Sequence, residues 1–336
     1  MLAAVVIGGW GHWREPLDEL GDAELVTIEG IAPGYAGEDV SGPLSHPFLV
    51  GVRRYGDYLE MLREVKPELA IVGTRLDLIA EVGMAAASRR CHLICEKPLG
   101  LSRERLGVFR QAVADAGVRL MPMHSMRNLP AFLAAKEAYA TGRIGEAVIV
   151  NVRKSYKWGV RPAWFGDRAV YGGTIPWIGV HALDMIHMIT RDHAARISAV
   201  HGNATRPDFP ECEDFALMMG ELTGGGRFTA SIDFLRPHAA PTHGDDWIRL
   251  VGTSGVIEAN GSSGWAKLAS AEGEPADLPL PPPGAIFRQF VESLTGFAES
   301  PLAVDDAFRL SDAALVARAS ADHGGEWIQC LCGSFP

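Results

Sequence analysis

Through the first third of the chain, short aliphatic runs alternate with helical patterns. AAVVIGG, AELVTIEGIA, LAIVGT, CHLICEKP and VRLMPM are strand-like, and SRERLGVFRQAVADAG between the last two is amphipathic. Ser102 can cap that helix at its start and Gly117 can stop it. Strands separated by helices predict a parallel sheet with helices on both faces. After residue 125 the pattern changes. Pro130 opens a helix through AFLAAKEAYA that Gly142 ends, and longer strand-like runs follow: EAVIVNVRKSY, ISAVHGNATR, DFALMMGEL, RFTASIDFL, WIRLVGT and GVIEAN. Turn signals at Thr223 to Gly226, at Ser254 and Gly255, and at Asn260 and Gly261 predict hairpins within an open, mostly antiparallel sheet. LPLPPPGA reads as an extended linker, and two amphipathic helical patterns, IFRQFVESLTGFAE and DDAFRLSDAALVARASA, follow it. The expected architecture is an α/β N-terminal domain over residues 1–122 and an α+β C-terminal domain over residues 123–336.

Composition narrows the partners. A chain of 336 residues, 47% hydrophobic and 21% charged, suits about two globular domains. Its formal net charge of -10 argues against nucleic acid or an anionic membrane surface, since both need a basic footprint. A small molecule is the expected partner. The five cysteines, Cys91, Cys95, Cys212, Cys330 and Cys332, are odd in number and lack a disulfide-framework spacing, which suggests a reducing compartment. Cys330 and Cys332 form a C-x-C without a second Cys/His cluster, so a thiol-bearing tail is expected rather than a metal site. MLAAVVIGGW has no basic residues before its apolar run and reads as a strand, and no later run is long and apolar enough to span a bilayer. A cytoplasmic protein is expected.

Two stretches carry candidate chemistry. VVIGGWGHW follows the first strand, where a doubly wound fold places its Gly-rich phosphate turn. The G-x-G-x-x-G pattern is incomplete: read from Gly8 it meets Trp10 and Trp13, and read from Gly9 it fits Gly11 but ends on Arg14. The acidic residue expected about 20 positions on, to hold ribose hydroxyls, falls on Glu29 inside a strand or on Pro33 at its end, so NAD and NADP both stay open. In GGTIPWIGVHALD, Gly172 to Asp184, the offsets put Trp177, His181 and Asp184 on one helical face.

With Glu96-Lys97-Pro98 at the end of the CHLICEKPLG strand, the GRIGE helix exit, the GG-x-H-x-x-D element, GTSG and the closing helices, the chain resembles the glucose-fructose oxidoreductase, inositol dehydrogenase and MocA (Gfo/Idh/MocA) family over nearly its whole length. The resemblance implies a Rossmann-like first domain and a nicotinamide-dependent redox enzyme acting on a sugar, polyol or sugar acid. It implies Lys97 as the acid-base group at the reacting hydroxyl or carbonyl. Pro98 resembles a position that often carries a cis peptide. Gly8, Gly9, Trp10, Gly11, His12, Trp13, Thr74 and Glu96 are the implied dinucleotide contacts. His181 becomes a proton-relaying or substrate-orienting imidazole, and Asp184 either a hydroxyl acceptor or the group that fixes the His181 tautomer. Many members carry a carboxylate four residues before the histidine. This chain has Trp177 there, which can stack on a sugar ring or simply pack at a helix start.

Arg127, Arg153, Lys154, Lys157, Arg161 and Arg168 are the cations around this element. A substrate carboxylate would suit Arg161, with Tyr156, Arg127 and Trp177 as further substrate candidates and His124 placed nearby by family position. Alternatives to a dehydrogenase are an NAD-dependent glycosidase and a dinucleotide-binding sensor without turnover. An open sheet leaves one face bare of helices, so a homodimer or homotetramer is expected.

Overall fold

The computed structural model describes residues 1–21, 23–271 and 273–330, so Cys332 lies outside the described residues. The chain divides into two compact units: Met1–Met123 with Ala285–Ser311, and His124–Gly284 with Asp312–Pro336. The expected second domain began at residue 123 and ran to the end of the chain. The structure instead groups 285–311 with the first unit. The reason is local: the Glu19 carboxylate accepts from the Phe287 and Arg288 amides at 2.7 and 3.1 Å, capping the helix Ile286–Leu294, which packs on the helix Arg14–Gly21. Phe308 meets Phe109 edge-on, with ring centroids 5.5 Å apart.

The first unit holds β1 (Leu2–Ile7), β2 (Val26–Ala32), β3 (Leu69–Val72), β4 (His92–Cys95) and β5 (Leu120–Pro122), all parallel, in the order β2-β1-β3-β4-β5. Ala4 to Ile7 and Leu69 to Val72 are fully buried, as strands covered on both faces must be. The chain leaves β1 toward β2 and later returns to β3 on the other side. That reversal puts a topological switch point at the carboxyl ends of β1 and β3, where doubly wound sheets bind ligands.

The second unit holds β6 (Ala147–Tyr156), β7 (Ala194–Gly202), β8 (Phe215–Leu222), β9 (Arg227–Asp233), β10 (Gly244–Gly252), β11 (Gly255–Asn260), β12 (Trp265–Ser270), β13 (Gly273–Asp277) and β14 (Ile328–Gln329). They form one sheet in the order β13-β12-β11-β10-β6-β9-β8-β7-β14, antiparallel except for the β6–β9 pair. The helices Pro130–Ala140 and Val180–Thr190 pack on each other and on this sheet. Along β8, Ala216, Met218 and Leu222 are buried while Leu217 and Met219 point out with Val148, Ile149 and Val200. Among the described residues no helix is long and apolar enough to cross a membrane.

Candidate functional site

In the first unit the switch point is built around glycines. Gly8 and Gly11 have φ of +91° and +90°, a region that favours glycine, and a Cβ on Gly8 would collide with the Gly73 carbonyl. The Trp10 amide donates to that carbonyl at 2.9 Å, tying the Gly-rich turn to the end of β3. A Cβ on Gly11 would collide with the Glu96 carboxylate. Glu96 is therefore the residue against which the turn is folded. Its Oε2 accepts from the His12 amide at 2.6 Å and lies 2.8 Å from His12 Nδ1, and its Oε1 accepts from the Lys97 amide at 2.9 Å.

Glu96 is fully buried, Lys97 is 1% exposed, and Lys97 Nζ stands 3.9 Å from Glu96 Oε1. Burial pushes the Glu96 carboxyl up, but His12 and Lys97 outweigh it and hold it below the usual carboxylate range. The Lys97–Pro98 peptide is cis. Trp13 packs edge-on against His46, with centroids 6.5 Å apart, and its indole fills the space beside Gly42.

The acidic group missing from the sequence reading sits here too. Glu29 lies within β2 on its exposed face and Pro33 carries no acid, so neither occupies the switch point. Glu38, in the loop after β2, does. Its Oε2 accepts from the Gly34 amide at 2.6 Å and the Thr74 hydroxyl at 3.0 Å, and the Gly9 amide faces the same carboxylate. Burial raises its pKa against the pull of these donors and of Arg75. Its Oε1 is buried without a well-formed hydrogen bond. An orphaned carboxylate oxygen beside a Gly-rich turn fits a dinucleotide whose ribose hydroxyls donate to it. Only loop length hid it, because the Gly37-Glu38 pair lies well beyond the strand end.

The second unit gathers a separate set. Gly172 and Gly173 have φ of +81° and +104°, and the Glu213 carboxylate packs against Gly173 and accepts from the Thr174 amide at 3.0 Å. The glycines thus serve a protein carboxylate that anchors the following helix. That helix opens with a π turn, Ile175–Gly179, before regular α geometry from Val180. Trp177 lies within the π turn, and His181 and Asp184 lie on the regular helix that continues it. Trp177 is 5% exposed and packs edge-on against Phe165.

His181 and Asp184 follow on the α-helical part, both buried. The His181 ring meets His124 edge-on at 5.4 Å, and His124 Nδ1 lies 4.0 Å from Asp184 Oδ2. Arg127 holds Asp184 through Nε at 2.9 Å and Nη2 at 2.6 Å. Arg127, a substrate candidate, and Asp184, read as a hydroxyl acceptor or as the group that fixes the His181 tautomer, are thus paired with each other. Although burial pushes the Asp184 carboxyl up, Arg127 and then His124 outweigh it and hold it low.

On β6, fully buried Lys154 places Nζ 2.6 Å from the Tyr156 hydroxyl, 2.7 Å from Met126 Sδ and 2.6 Å from Asp246 Oδ1, its cross-strand neighbour on β10. Burial opposes its charge, yet Tyr156 and Asp246 outweigh burial and keep the ammonium protonated. Tyr156 is thereby oriented by a cation the sequence could not pair with it. Arg153 bonds Asp245 at 3.0 Å, Lys157 donates to the Ala240 carbonyl at 2.5 Å, and Arg168 pairs with Glu213 and with Asp322. Arg161 instead lies among the rings of Phe234, Phe165 and Trp158.

Residues 45–124 match the model of the oxidoreductase family with an NAD-binding Rossmann fold, and residues 132–258 match the Gfo/Idh/MocA C-terminal domain. A solved Thermotoga maritima protein assigned as an oxidoreductase is 35% identical, with a TM-score of 0.92 over 98% of this chain and 100% of that one. A levoglucosan dehydrogenase solved with NADH and levoglucosan shares the fold, with a TM-score of 0.83 at 18% identity over 98% of this chain and 99% of that one. Among curated relatives, 1,5-anhydro-D-fructose reductase of Ensifer adhaerens is 31% identical over 43% of this chain and 44% of its own length. Levoglucosan dehydrogenase of Pseudarthrobacter phenanthrenivorans is 28% identical over 52% of this chain and 47% of its own, so the match spans about half the length of these relatives. With its Rossmann unit, the Glu96-Lys97-Pro98 strand end and a C-terminal domain of matching type, the chain belongs to the Gfo/Idh/MocA oxidoreductase family.

Proposed function

We propose that the protein is an NAD-dependent dehydrogenase or reductase acting on a CH–OH or carbonyl carbon of a sugar, polyol or sugar acid. The observation that carries this reading is Glu96, which joins the Gly-rich turn to Lys97 through one buried carboxylate. Bound nicotinamide would accept the hydride from the CH–OH carbon, or return it to the carbonyl. The Lys97 ammonium stabilises the developing oxyanion, and Lys97 Nζ exchanges the hydroxyl proton. His181 orients the substrate or relays that proton, with His124 against its ring and the Arg127–Asp184 pair tying together the two segments that carry these histidines. Tyr156, held by Lys154, is a further hydroxyl contact. The test is nicotinamide absorbance against time over a panel of polyols, aldoses and sugar acids. Turnover with one class supports the reading. Tight NAD binding with no turnover on any of them rejects it.

Glu38 sets the cofactor preference toward NAD, since its carboxylate would face the 2′-phosphate of NADP. Glu38→Ser is expected to lower kcat/KM with NAD by about 10–100-fold, the worth of hydrogen bonds to a charged group, while NADP loses less or gains. Equal loss with both cofactors would remove Glu38 from selection.

Cys91, Cys95 and Cys212 are free thiols, in keeping with the cytoplasm as the working compartment. A homodimer or homotetramer covers the outward face of the second sheet, where Val200, Leu217 and Met219 stand exposed around a depression of about 520 Å³. Sedimentation at micromolar concentration is expected to give a dimer or tetramer; a monomer would overturn this.

A further inference from the structure

We infer that Arg161 is a substrate-carboxylate anchor, so that the preferred substrates are sugar acids rather than neutral sugars or polyols. The inference rests on the redox reading above and narrows its substrate class.

Arg161 differs from the other cations named around the His181 element. Arg127, Arg153, Lys154 and Arg168 each pair with a protein carboxylate, and Lys157 donates to a carbonyl. Half-buried Arg161 has no ion pair or hydrogen bond among the described residues, and its Nε is buried. Its guanidinium carbon lies 4.8, 5.3 and 5.7 Å from the ring centres of Phe234, Phe165 and Trp158. Those rings position the planar group and offset part of its desolvation, but they leave its N–H donors in the guanidinium plane unused.

Among the described residues no carboxylate pairs with it. Burial disfavours its charge, and the groups that favour that charge include the Tyr171 phenol and the Cys212 thiol. Burial pushes both upward, Cys212 to about 12, so both are uncharged at neutral pH. Nearby, burial first, and then Arg161 and Lys157, push the His243 imidazole down against the opposing pull of Asp246. A carboxylate is the group that satisfies a planar donor fork of this kind bidentately. The location also suits a substrate. Phe165, which packs on Arg161, meets Trp177 edge-on at 6.4 Å, and Trp177 is four residues before His181. Tyr156 lies close enough to act on the Arg161 charge.

The experiment compares wild type, Arg161→Leu and Arg161→Lys on two matched pairs: D-gluconate against D-glucitol, and D-glucuronate against D-glucose. Initial rates with NAD or NADH are measured alongside calorimetric titration of each compound into the NAD-loaded enzyme, with thermal melting as the folding control. In wild type the acid of a pair is expected to exceed its neutral partner at least tenfold in kcat/KM. Arg161→Leu is expected to remove that preference, mainly by raising KM for the acid, with a smaller effect on the neutral compound. Arg161→Lys is expected to restore part of the preference, and it decides the matter should Arg161→Leu not fold. Equal wild-type preference for acid and neutral partners overturns the anchor, as does an equal loss on both in the variants. Acid binding that depends on Arg161 without any turnover keeps the anchor and rejects the redox reading. Turnover of neutral compounds only, with no acid binding, does the reverse.

Discussion

Lys97→Met is expected to lower turnover by about 10²–10⁴-fold, the usual worth of a positioned acid-base group, while NAD affinity changes only a few-fold. The separation follows from the geometry. Lys97 Nζ is not among the donors that fold the Gly-rich turn against Glu96; those are the His12 amide and imidazole. Removing the ammonium takes one favourable charge from a fully buried carboxylate but leaves the contacts that shape the turn. Lys97→Arg separates charge from proton exchange. A guanidinium keeps the positive charge and does not deprotonate, so this variant is expected to be nearly as slow as Lys97→Met. Rates under the wild-type optimum substrate and NAD titration by fluorescence measure both effects. A Lys97→Arg enzyme within tenfold of wild type would mean that Lys97 acts by charge alone.

The second large effect is on stability. Arg127→Ala is expected to destabilise the second unit by about 3–5 kcal/mol, the cost of stranding a buried partner of an ion pair. For a domain of this size that is about 10 °C in Tm, read by calorimetry. Arg127 and Asp184 are 5% and 1% exposed, so solvent gives little relief to the carboxylate left behind. Replacing both members with apolar residues, Arg127→Met with Asp184→Leu, is expected to recover most of the loss. The pH dependence has a definite sign. Asp184 titrates lower in the folded protein than its ordinary value of about 3.9, so its stabilisation is complete above that value and disappears as pH falls through the lower folded pKa. Wild type and Arg127→Ala should therefore converge in stability only in strong acid. A constant gap down to that range would show that the pair does not titrate as described.

How far these features could be read from sequence depends on what kind of contact each one is. Strand and helix alternation, the Gly-rich turn and the Glu96-Lys97-Pro98 strand end are local patterns, and the structure shows each in place. Pairing across distance is not local. Arg127 and Asp184 are 57 residues apart, and nothing in their neighbours announces that each is the other's partner. Lys154 meets Asp246 because β6 and β10 are in a particular register, which a single sequence does not specify. The π turn at Ile175–Gly179 is equally silent, since its residues read as an ordinary helix start. Glu38 escaped because the acid was sought at the strand end and stands in the following loop. The strands β12 and β13 carry small and charged residues whose hydrophobic alternation is too weak to mark them.

The return of residues 285–311 to the first unit has a consequence for the order in which this protein can be made. On the ribosome the five parallel strands and the Gly-rich turn emerge first, yet Phe109 waits for Phe308, and Glu19 waits for the helix it caps. At about 5–20 residues per second, the delay between Met123 and Ser311 is roughly ten to forty seconds. Synthesis of the intervening segment is finished before the first unit has all of its chain. The dinucleotide-binding unit is thus begun before the second unit and completed only after most of that unit has been made.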